Sequence, residues 1–190
     1  MRVGVIGVQG AVSEHIHMLA KLGANPLWVR GPGELEMVGA LVIPGGESTT
    51  ISRLMLESKL FGRVKELGEE GIPIFGTCAG LILLAKKGDA QVKKTKQKLL
   101  ELMDMKITRN AFGRQRESFE VHLNIGNIAD FPCVFIRAPA ITEVYGKCEP
   151  LAHHGKFIVA ARQDNFLATS FHPELTEDAR VHEYFLNEVC

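Results

Sequence analysis

The stretch IPIFGTCAGLILLA, residues 72–85, decides the fold and contains the first candidate for chemistry. An apolar run typical of a buried strand meets one typical of a helix, with Cys78 at the junction. The pattern G-x-C-x-G is typical of a nucleophile elbow, which exposes its central side chain at the carboxyl edge of a parallel sheet. Gly76 and Gly80 would prevent clashes there, and the helix N-terminus would favour a thiolate. A buried structural cysteine followed by a convenient glycine fits the same letters.

The first half of the chain alternates strand-like and helix-like segments around this elbow. Because parallel strands need crossover helices, the alternation predicts an α/β fold with a mostly parallel central sheet and helices on both faces. The strand-like runs are residues 3–8, 27–29, 40–43 and 72–75, and the helix-like segments are 11–22, 51–56 and 60–67.

The second half changes character and predicts an antiparallel extension of the sheet. The sequence RQDN at 162–165 is typical of a hairpin turn. We also expect an amphipathic helix over 91–106 and a last helix from about 176 to 187. No linker or repeat interrupts the pattern, so we expect one domain over residues 1–190. The strand-like pieces are residues 118–123, 133–137, 157–161 and 166–171.

Charge and composition narrow the classes of function. Lys plus Arg is 22 and Asp plus Glu is 22, so nucleic acid is not expected as a partner. No apolar stretch approaches the roughly 20 residues that span a bilayer, and the N-terminus lacks a signal-peptide cleavage site. The four cysteines include no CxxC pair. We therefore expect a cytoplasmic protein without a membrane segment, a disulfide framework or a metal site.

A second candidate stretch is FHPE, residues 171–174, after the strand-like run LATS. A cysteine nucleophile needs a base within hydrogen-bond reach, and the base needs an orienting partner. His172 can be that base, and Glu174 can return to the second imidazole nitrogen. A surface loop with a solvated glutamate would fit FHPE alone. The combination of a strand-end cysteine with a strand-end His-Pro-Glu favours the catalytic interpretation.

A third candidate stretch is PGGESTT, residues 44–50, which follows the strand-like run ALVI. Two glycines at the carboxyl edge of a sheet can turn a backbone N–H toward a developing oxyanion. Ser48 or Thr49 can cap the helix that follows. A simple glycine-rich turn with a helix cap is the alternative, and the spacing of a phosphate loop is absent.

These three stretches, in this order, resemble the class I glutamine amidotransferase family. Within that class, the chain is similar to the glutaminase subunits of pyridoxal 5′-phosphate synthases. GTCAG and HPE indicate only the wider class, whereas RNAFGRQ and VFIRAP are specific to the branch. The resemblance implies the flavodoxin-like three-layer fold of the class. The shared motifs, from residue 8 to residue 175, are VQGAVSEH, PGGEST, GTCAGLILLAK, RNAFGRQRESFE, VFIRAP and SFHPEL.

The resemblance implies a reaction and a partner. L-Glutamine and water give L-glutamate and ammonia through a thioester on the cysteine. The ammonia passes to a separate synthase subunit, which uses it with ribose 5-phosphate and glyceraldehyde 3-phosphate; no cofactor is expected. Cys78 would be the nucleophile, His172 the general base and then acid, and Glu174 its orienting carboxylate.

The resemblance also implies an oxyanion hole and a glutamine site. Backbone N–H groups of Gly46 and Ala79 would bind the oxyanion. An arginine fork matches the α-carboxylate of glutamine, although a surface salt bridge would explain either candidate arginine alone. The glutamine contacts would come from Gly46, Glu47, Ser48, Arg109, Ile136 and Arg137.

Two further features stay open. Gln9 ends the first strand-like run, where it would either tie activity to the synthase subunit, as the resemblance implies, or satisfy a turn. The Lys-rich segment 88–106 is longer and more basic than the resemblance leads us to expect. It would be a solvated helix or part of the surface that docks the synthase. The remaining histidines, including His15 and His17, are interpreted as bystanders.

Three alternative functions are compatible with parts of the pattern. A glutaminase of another amidotransferase, such as the one in histidine biosynthesis, would share the Cys-His-Glu set but lack RNAFGRQ and VFIRAP. A related cysteine hydrolase would act on peptides or small carbonyl compounds without glutamine. A non-catalytic regulatory subunit would only bind a partner and would not need Cys78, His172 and Glu174 to be present together.

Overall fold

A computed structural model describes residues 1–113 and 118–190 of the chain. Residues 114–117, inside the motif RNAFGRQRESFE, lie outside the described residues. The described strands are β1 (Arg2–Ile6), β2 (Asn25–Val29), β3 (Ala40–Ile43), β4 (Ile74–Thr77), β5 (Ala85–Lys87), β6 (Met103–Thr108), β7 (Ser118–Ile125), β8 (Ile128–Ile136), β9 (Ala140–Val144), β10 (Glu149–His154), β11 (Phe157–Gln163) and β12 (Phe166–Thr169).

The helices lie mostly in the first half of the chain. A 3-10 turn at Pro173–Leu175 follows the last strand, and a π-helical turn at Phe185–Val189 follows the last α-helix. Within the described residues, no helix is long and apolar enough to cross a membrane. The α-helices are α1 (Val12–Lys21), α2 (Pro32–Leu35), α3 (Ser48–Glu57), α4 (Leu60–Glu69), α5 (Ala79–Leu84), α6 (Ala90–Lys94) and α7 (Arg180–Tyr184).

The central sheet confirms the predicted mixture of parallel and antiparallel strands. Its order is β2-β1-β3-β4-β12-β11-β9-β6-β5, with β10 paired to β11. The strands from β2 to β12 in this order are parallel, whereas the pairs β12-β11, β11-β9 and β9-β6 are antiparallel. The predicted hairpin at 162–165 joins β11 to β12. Strands β7 and β8 form a separate two-stranded antiparallel sheet.

Alternate residues of the parallel strands supply two hydrophobic clusters, one on each face of the sheet. In β3, Leu41 and Ile43 face the cluster that also contains the buried side chains of α2 to α6. The intervening Ala40 and Val42 face the cluster built with α1, the C-terminal helices and the β7–β8 hairpin. The period of two that buries both faces is the reason these strands are apolar throughout.

Two predicted helices are wrong in extent. The segment 91–106 holds only four of the five residues of α6, 91–94, before the chain turns through Lys96 and Glu101, which have φ angles of 52° and 63°. Met103, Met105 and Ile107 then alternate with more exposed residues along β6. Likewise, the last helix does not begin near residue 176, because α7 starts at Arg180.

The elbow glycines lead to a stability prediction. A Cβ on Gly80 would collide with the backbone carbonyl oxygen of Ile43, which cannot rotate away. We expect Gly80→Ala to lower the free energy of unfolding by about 1–3 kcal/mol or more. Gly62→Ala is the matched control, since a Cβ there meets nothing within 4 Å and should stabilise α4 by about 0.5–1 kcal/mol. Urea unfolding measures both; equal effects of the two substitutions would contradict the tight elbow.

Candidate active site

Three neighbouring parallel strands deliver the three candidate stretches to one edge of the sheet. Residue 43 of β3 pairs with Gly76 of β4, and Thr77 of β4 pairs with Thr169 of β12. The carboxyl ends of parallel strands lie at the same edge, so the segments that follow them converge. PGGESTT, GTCAG and FHPE therefore meet although they are far apart in the sequence.

Cys78 lies at a strained turn between β4 and α5. Its backbone has φ 48° and ψ −95°, an uncommon conformation for a residue with a side chain. The Cys78 N–H donates to the carbonyl of Thr169 at 2.7 Å, which holds the turn against β12. A Cβ on Gly76 would come within 2.6 Å of the Gly80 carbonyl carbon, so both elbow glycines are required. The Ala79 N–H follows at the N-terminus of α5, where intrahelical acceptors are missing.

The His172 imidazole lies between Cys78 and Glu174. Its Nδ1 is 2.7 Å from Glu174 Oε1, and the ring also interacts with the Cys78 side chain. Burial alone would lower the pKa of His172, but the hydrogen bonds to Cys78 and Glu174 raise it to about 10. A Cβ on Gly45 would overlap the imidazole, so that glycine gives the ring its space. A histidine next to a cysteine can act as its general base.

Glu174 is buried behind the imidazole. Burial would raise the pKa of this carboxyl group, but His15 and His172 outweigh it and hold the pKa below its usual range. An ionised carboxylate on Nδ1 fixes the tautomer of His172 and stabilises its charged form.

The other three cysteines have less reactive surroundings. Burial raises the pKa of the thiols of Cys133 and Cys148 to about 12 and that of Cys190 to about 11. These thiols stay protonated near neutral pH and are poor nucleophiles.

A cleft of about 380 Å³ opens above Cys78. Every site residue that the sequence analysis names lines this cleft, except Glu174, which lies behind His172. Ile82, Asn110 and Pro139 also line it. They lie within the quoted motifs, but the sequence analysis did not name them as site residues because nothing in their side-chain chemistry indicates a role. The expected residues that line the cleft are Gln9, Gly46, Glu47, Ser48, Cys78, Ala79, Arg109, Ile136, Arg137 and His172.

The glycine-rich loop is fixed by side chains on both sides. Gln9 Oε1 accepts the Glu47 N–H at 2.9 Å, and it lies where a Cβ on Gly46 would be. Arg109 donates from Nη2 to Glu47 Oε1 at 2.9 Å and from Nη1 to Thr49 Oγ1 at 3.1 Å. These contacts connect the loop to two other segments of the chain that line the cleft.

The helix cap after this loop differs from the expected one. Glu47, not Ser48 or Thr49, caps α3, because its carboxylate accepts the N–H groups of Thr49 and Thr50. Burial would raise the pKa of Glu47, but these hydrogen bonds keep it below its usual range. Ser48 is buried and donates to Gln97 Oε1 at 3.2 Å.

Asp89 supports the arginine side of the cleft and leads to a second stability prediction. Its carboxylate caps α6 and accepts the Arg109 N–H at 2.8 Å. Burial would raise the pKa of Asp89, but these hydrogen bonds hold it below its usual range. We expect Asp89→Asn to cost about 1–2 kcal/mol of unfolding free energy at pH 7.

The pH dependence of this cost has a defined sign. Because the folded-state pKa is depressed, the stabilisation is complete above the unfolded pKa and is lost as the pH falls through the folded one. The difference between wild type and Asp89→Asn should therefore shrink in acid. Asp164→Asn, at an exposed turn, is the control. A cost for Asp89→Asn that is unchanged at low pH would contradict the assignment.

The sequence analysis did not predict the position of His15, which is fully buried beside Glu174. Its Nε2 is 3.1 Å from Thr77 Oγ1 and 3.5 Å from Glu174 Oε2. A signal existed, because residue 15 shares a helical face with Val12 and Leu19, which are both buried. Among residues 1–113 and 118–190, no three His, Cys, Asp or Glu side chains are grouped to hold a metal ion.

Comparisons with known proteins agree with this architecture. The chain is 53% identical over 196 residues to "Pyridoxal 5'-phosphate synthase subunit PdxT" of Thermococcus onnurineus, covering 99% of this chain and 98% of the relative. It is 53% identical over 192 residues to the protein of the same name from Archaeoglobus fulgidus, covering 98% and 97%. A solved structure described as a glutamine amidotransferase superposes with a TM-score of 0.91 at 45% identity, covering 97% and 96%.

The match to a protein family extends over nearly the whole chain. The profile of the SNO glutamine amidotransferase family matches residues 5–190, which include the elbow, the glycine-rich loop and the His-Pro-Glu segment. The chain therefore belongs to the SNO glutamine amidotransferase family.

Proposed function

We propose that this protein is the glutaminase subunit of a pyridoxal 5′-phosphate synthase. It hydrolyses L-glutamine to L-glutamate and ammonia and delivers the ammonia to a separate synthase subunit, in the cytoplasm. The observation that carries the proposal is the series Cys78, His172 and Glu174, of which Cys78 and His172 line an open cleft and Glu174 lies behind His172. Identity of about half over the full length to proteins named as this subunit supports the choice of partner.

The first half-reaction forms a thioester. The Cys78 thiolate attacks the carboxamide carbon of glutamine, and the carbonyl oxygen becomes an oxyanion. The His172 imidazolium donates its proton to the nitrogen, because an amide anion is too poor a leaving group. The carbon–nitrogen bond breaks, and ammonia and a γ-glutamyl thioester remain.

The second half-reaction releases glutamate. Neutral His172 accepts a proton from a water molecule as the water attacks the thioester carbon. The carbon–sulfur bond breaks, and Cys78 leaves as a thiolate beside the new imidazolium. Glu174 stabilises the charged ring at each point where it forms.

Two backbone N–H groups are proposed to bind the oxyanion. Ala79 supplies one at the start of α5, where the helix dipole adds to the effect. Gly46 supplies the other from the glycine-rich loop. Gln9 controls this loop through its contact with the Glu47 N–H at 2.9 Å. Rearrangement of that contact on docking of the synthase would tie hydrolysis to the presence of an ammonia acceptor.

The polar ends of glutamine find complementary groups in the cleft. Arg137 and Arg109 are proposed to bind the α-carboxylate, and Glu47 the α-ammonium. Arg109 already pairs with Glu47 at 2.9 Å, which positions one positive and one negative group side by side. Ser48 and Ile136 complete the proposed contacts along the glutamine side chain.

The test is ammonia release from glutamine by the purified chain, alone and with the synthase subunit. We expect low activity alone and strong stimulation in the complex, because the docked partner excludes water and accepts neutral ammonia. Stimulation only by a glutamine-dependent synthase of another pathway, such as histidine biosynthesis, would overturn the choice of partner. Turnover of peptides or small carbonyl compounds without glutamine would overturn the reaction.

A further inference from the structure

The carboxylate of Glu174 has one oxygen with a clear function and one without. Oε1 is 2.7 Å from His172 Nδ1. Oε2 is buried and accepts no hydrogen bond from the described residues. A buried carboxylate oxygen needs a donor, because an unsatisfied charged oxygen in the interior is costly.

His15 is the basic side chain that faces this second oxygen. Its Nε2 lies 3.5 Å from Glu174 Oε2 and 3.1 Å from the hydroxyl of Thr77, the residue before the nucleophile. Its Nδ1 lies 2.9 Å from Nε2 of His182 on α7. Both imidazoles are fully buried, and Phe75 packs edge-on against each of them.

The positions of the protons follow from the contacts. Burial lowers the pKa of His15, and it lowers that of His182 to about 3, so each ring is neutral near pH 7 and carries one proton. A proton on His15 Nδ1 would leave the Nε2 lone pair facing a carboxylate. The arrangement without that repulsion has His182 Nε2–H donating to His15 Nδ1, and His15 Nε2–H directed at Thr77 and Glu174.

The unpaired nitrogen of His182 fits the same assignment. Its Nδ1 is buried and has no hydrogen-bond partner among the described residues. In this arrangement Nδ1 is a bare lone pair rather than an orphaned N–H. The N–H of His182 then points to His15, and the N–H of His15 points to one oxygen of Glu174. The N–H of His172 points to the other oxygen of Glu174.

We infer that His15, with its tautomer set by His182, is a positioning residue that holds the second oxygen of Glu174 and so orients the base of the proposed glutaminase. This inference rests on the proposed function. By holding Glu174 from behind, His15 keeps the carboxylate ionised and aligned with His172 Nδ1. By contacting Thr77, it also steadies the last residue before the elbow.

The alternative is that His15 is a buried histidine that only packs in the core. Matched variants distinguish this packing role from the positioning role. His15→Gln keeps an N–H donor near the position of Nε2 and an acceptor near that of Nδ1. His15→Met has similar length and volume but neither group. His17→Gln changes an exposed histidine on the same helix and serves as the control. The assay is glutamine hydrolysis by the complex with the synthase subunit, as kcat and KM across pH.

We expect His15→Met to lower kcat about 10- to 100-fold with KM within about twofold, since the N–H group that faces the buried carboxylate at 3.5 Å is lost. The acidic limb of its pH profile should move to higher pH, because Glu174 loses a donor and protonates more readily. The charged or titratable groups around His15 are Glu14 on α1, His182 on α7, and His172 and Glu174 after β12. His15→Gln should stay within about fivefold of wild type, because it restores the donor.

The outcomes separate this inference from the proposed function. Two outcomes with an active wild type overturn the positioning role alone. In the first, His15→Met has the kcat of wild type. In the second, His15→Gln loses as much kcat as His15→Met. Wild type that does not hydrolyse glutamine overturns the proposed function. If His15→Met does not fold, His182→Phe decides, because it keeps the ring beside Phe75 and removes the donor. We expect His182→Phe to lower kcat about three- to tenfold and to shift the acidic limb of the pH profile in the same direction. A wild-type pH profile for His182→Phe would overturn the positioning role of His15.

Discussion

Cys78→Ala is expected to abolish glutamine hydrolysis by the complex, with a loss in kcat of at least about 10,000-fold. Without the sulfur no thioester forms, and the remaining groups can only assist direct attack by water. The measurement is release of glutamate and ammonia in the presence of the synthase subunit. Cys190→Ala is the control. It removes another thiol, whose pKa is raised to about 11, and it should keep wild-type activity.

The same variant has a second readout that separates chemistry from assembly. Because Cys78 is buried, its truncation should leave the outer surface of the chain unchanged, and the Cys78→Ala complex should still form. It should still make product when an ammonium salt replaces glutamine. Hydrolysis of glutamine at the wild-type rate by Cys78→Ala would mean that the chain is not the enzyme we propose.

Glu174→Gln is expected to lower kcat by about 100- to 10,000-fold while KM changes little. The amide is the same size, but it carries no charge and can present an N–H to His172 Nδ1. Burial lowers the pKa of His172, and the hydrogen bonds to Cys78 and Glu174 raise it to about 10. Loss of the carboxylate therefore lowers the His172 pKa, and the alkaline limb of kcat/KM should move to lower pH.

The control for this substitution is Glu177→Gln, three residues further along the chain. The Glu177 side chain is fully exposed and pairs only loosely with Lys21, at 3.7 Å. Its pH profile should match that of wild type. An alkaline limb that stays in place in Glu174→Gln would show that the carboxylate does not support the charged imidazole.

The sequence predicts the parts of the fold that depend on residues close together in the chain. The elbow is recognisable because Gly76 and Gly80 are needed where a Cβ would meet backbone atoms. The parallel strands are recognisable because both of their faces are buried. His172 and Glu174 are two residues apart, so their contact at 2.7 Å is a local event after β12.

The sequence does not predict the parts that distant partners decide. The run 103–108 is compatible with a helix on its own, and it becomes β6 because it pairs with β9, a strand much later in the chain. His15 and His182 are separated by 167 residues, and nothing near either one in sequence indicates their contact. The Arg109 contact with Glu47 likewise depends on the loop after β6 reaching the loop after β3.

The most direct test of the central claim is chemical labelling followed by mass spectrometry. The diazoketone 6-diazo-5-oxo-L-norleucine has the shape of glutamine. Protonation of its diazo carbon by the His172 imidazolium would let the Cys78 thiolate displace N₂ and form a carbon–sulfur bond. We predict one label per chain in the complex, on the peptide that contains Cys78, with protection by excess glutamine and no label in Cys78→Ala. Labelling of Cys133, Cys148 or Cys190 instead, or labelling of Cys78 that glutamine does not slow, would contradict the claim that Cys78, His172 and Glu174 act together on glutamine.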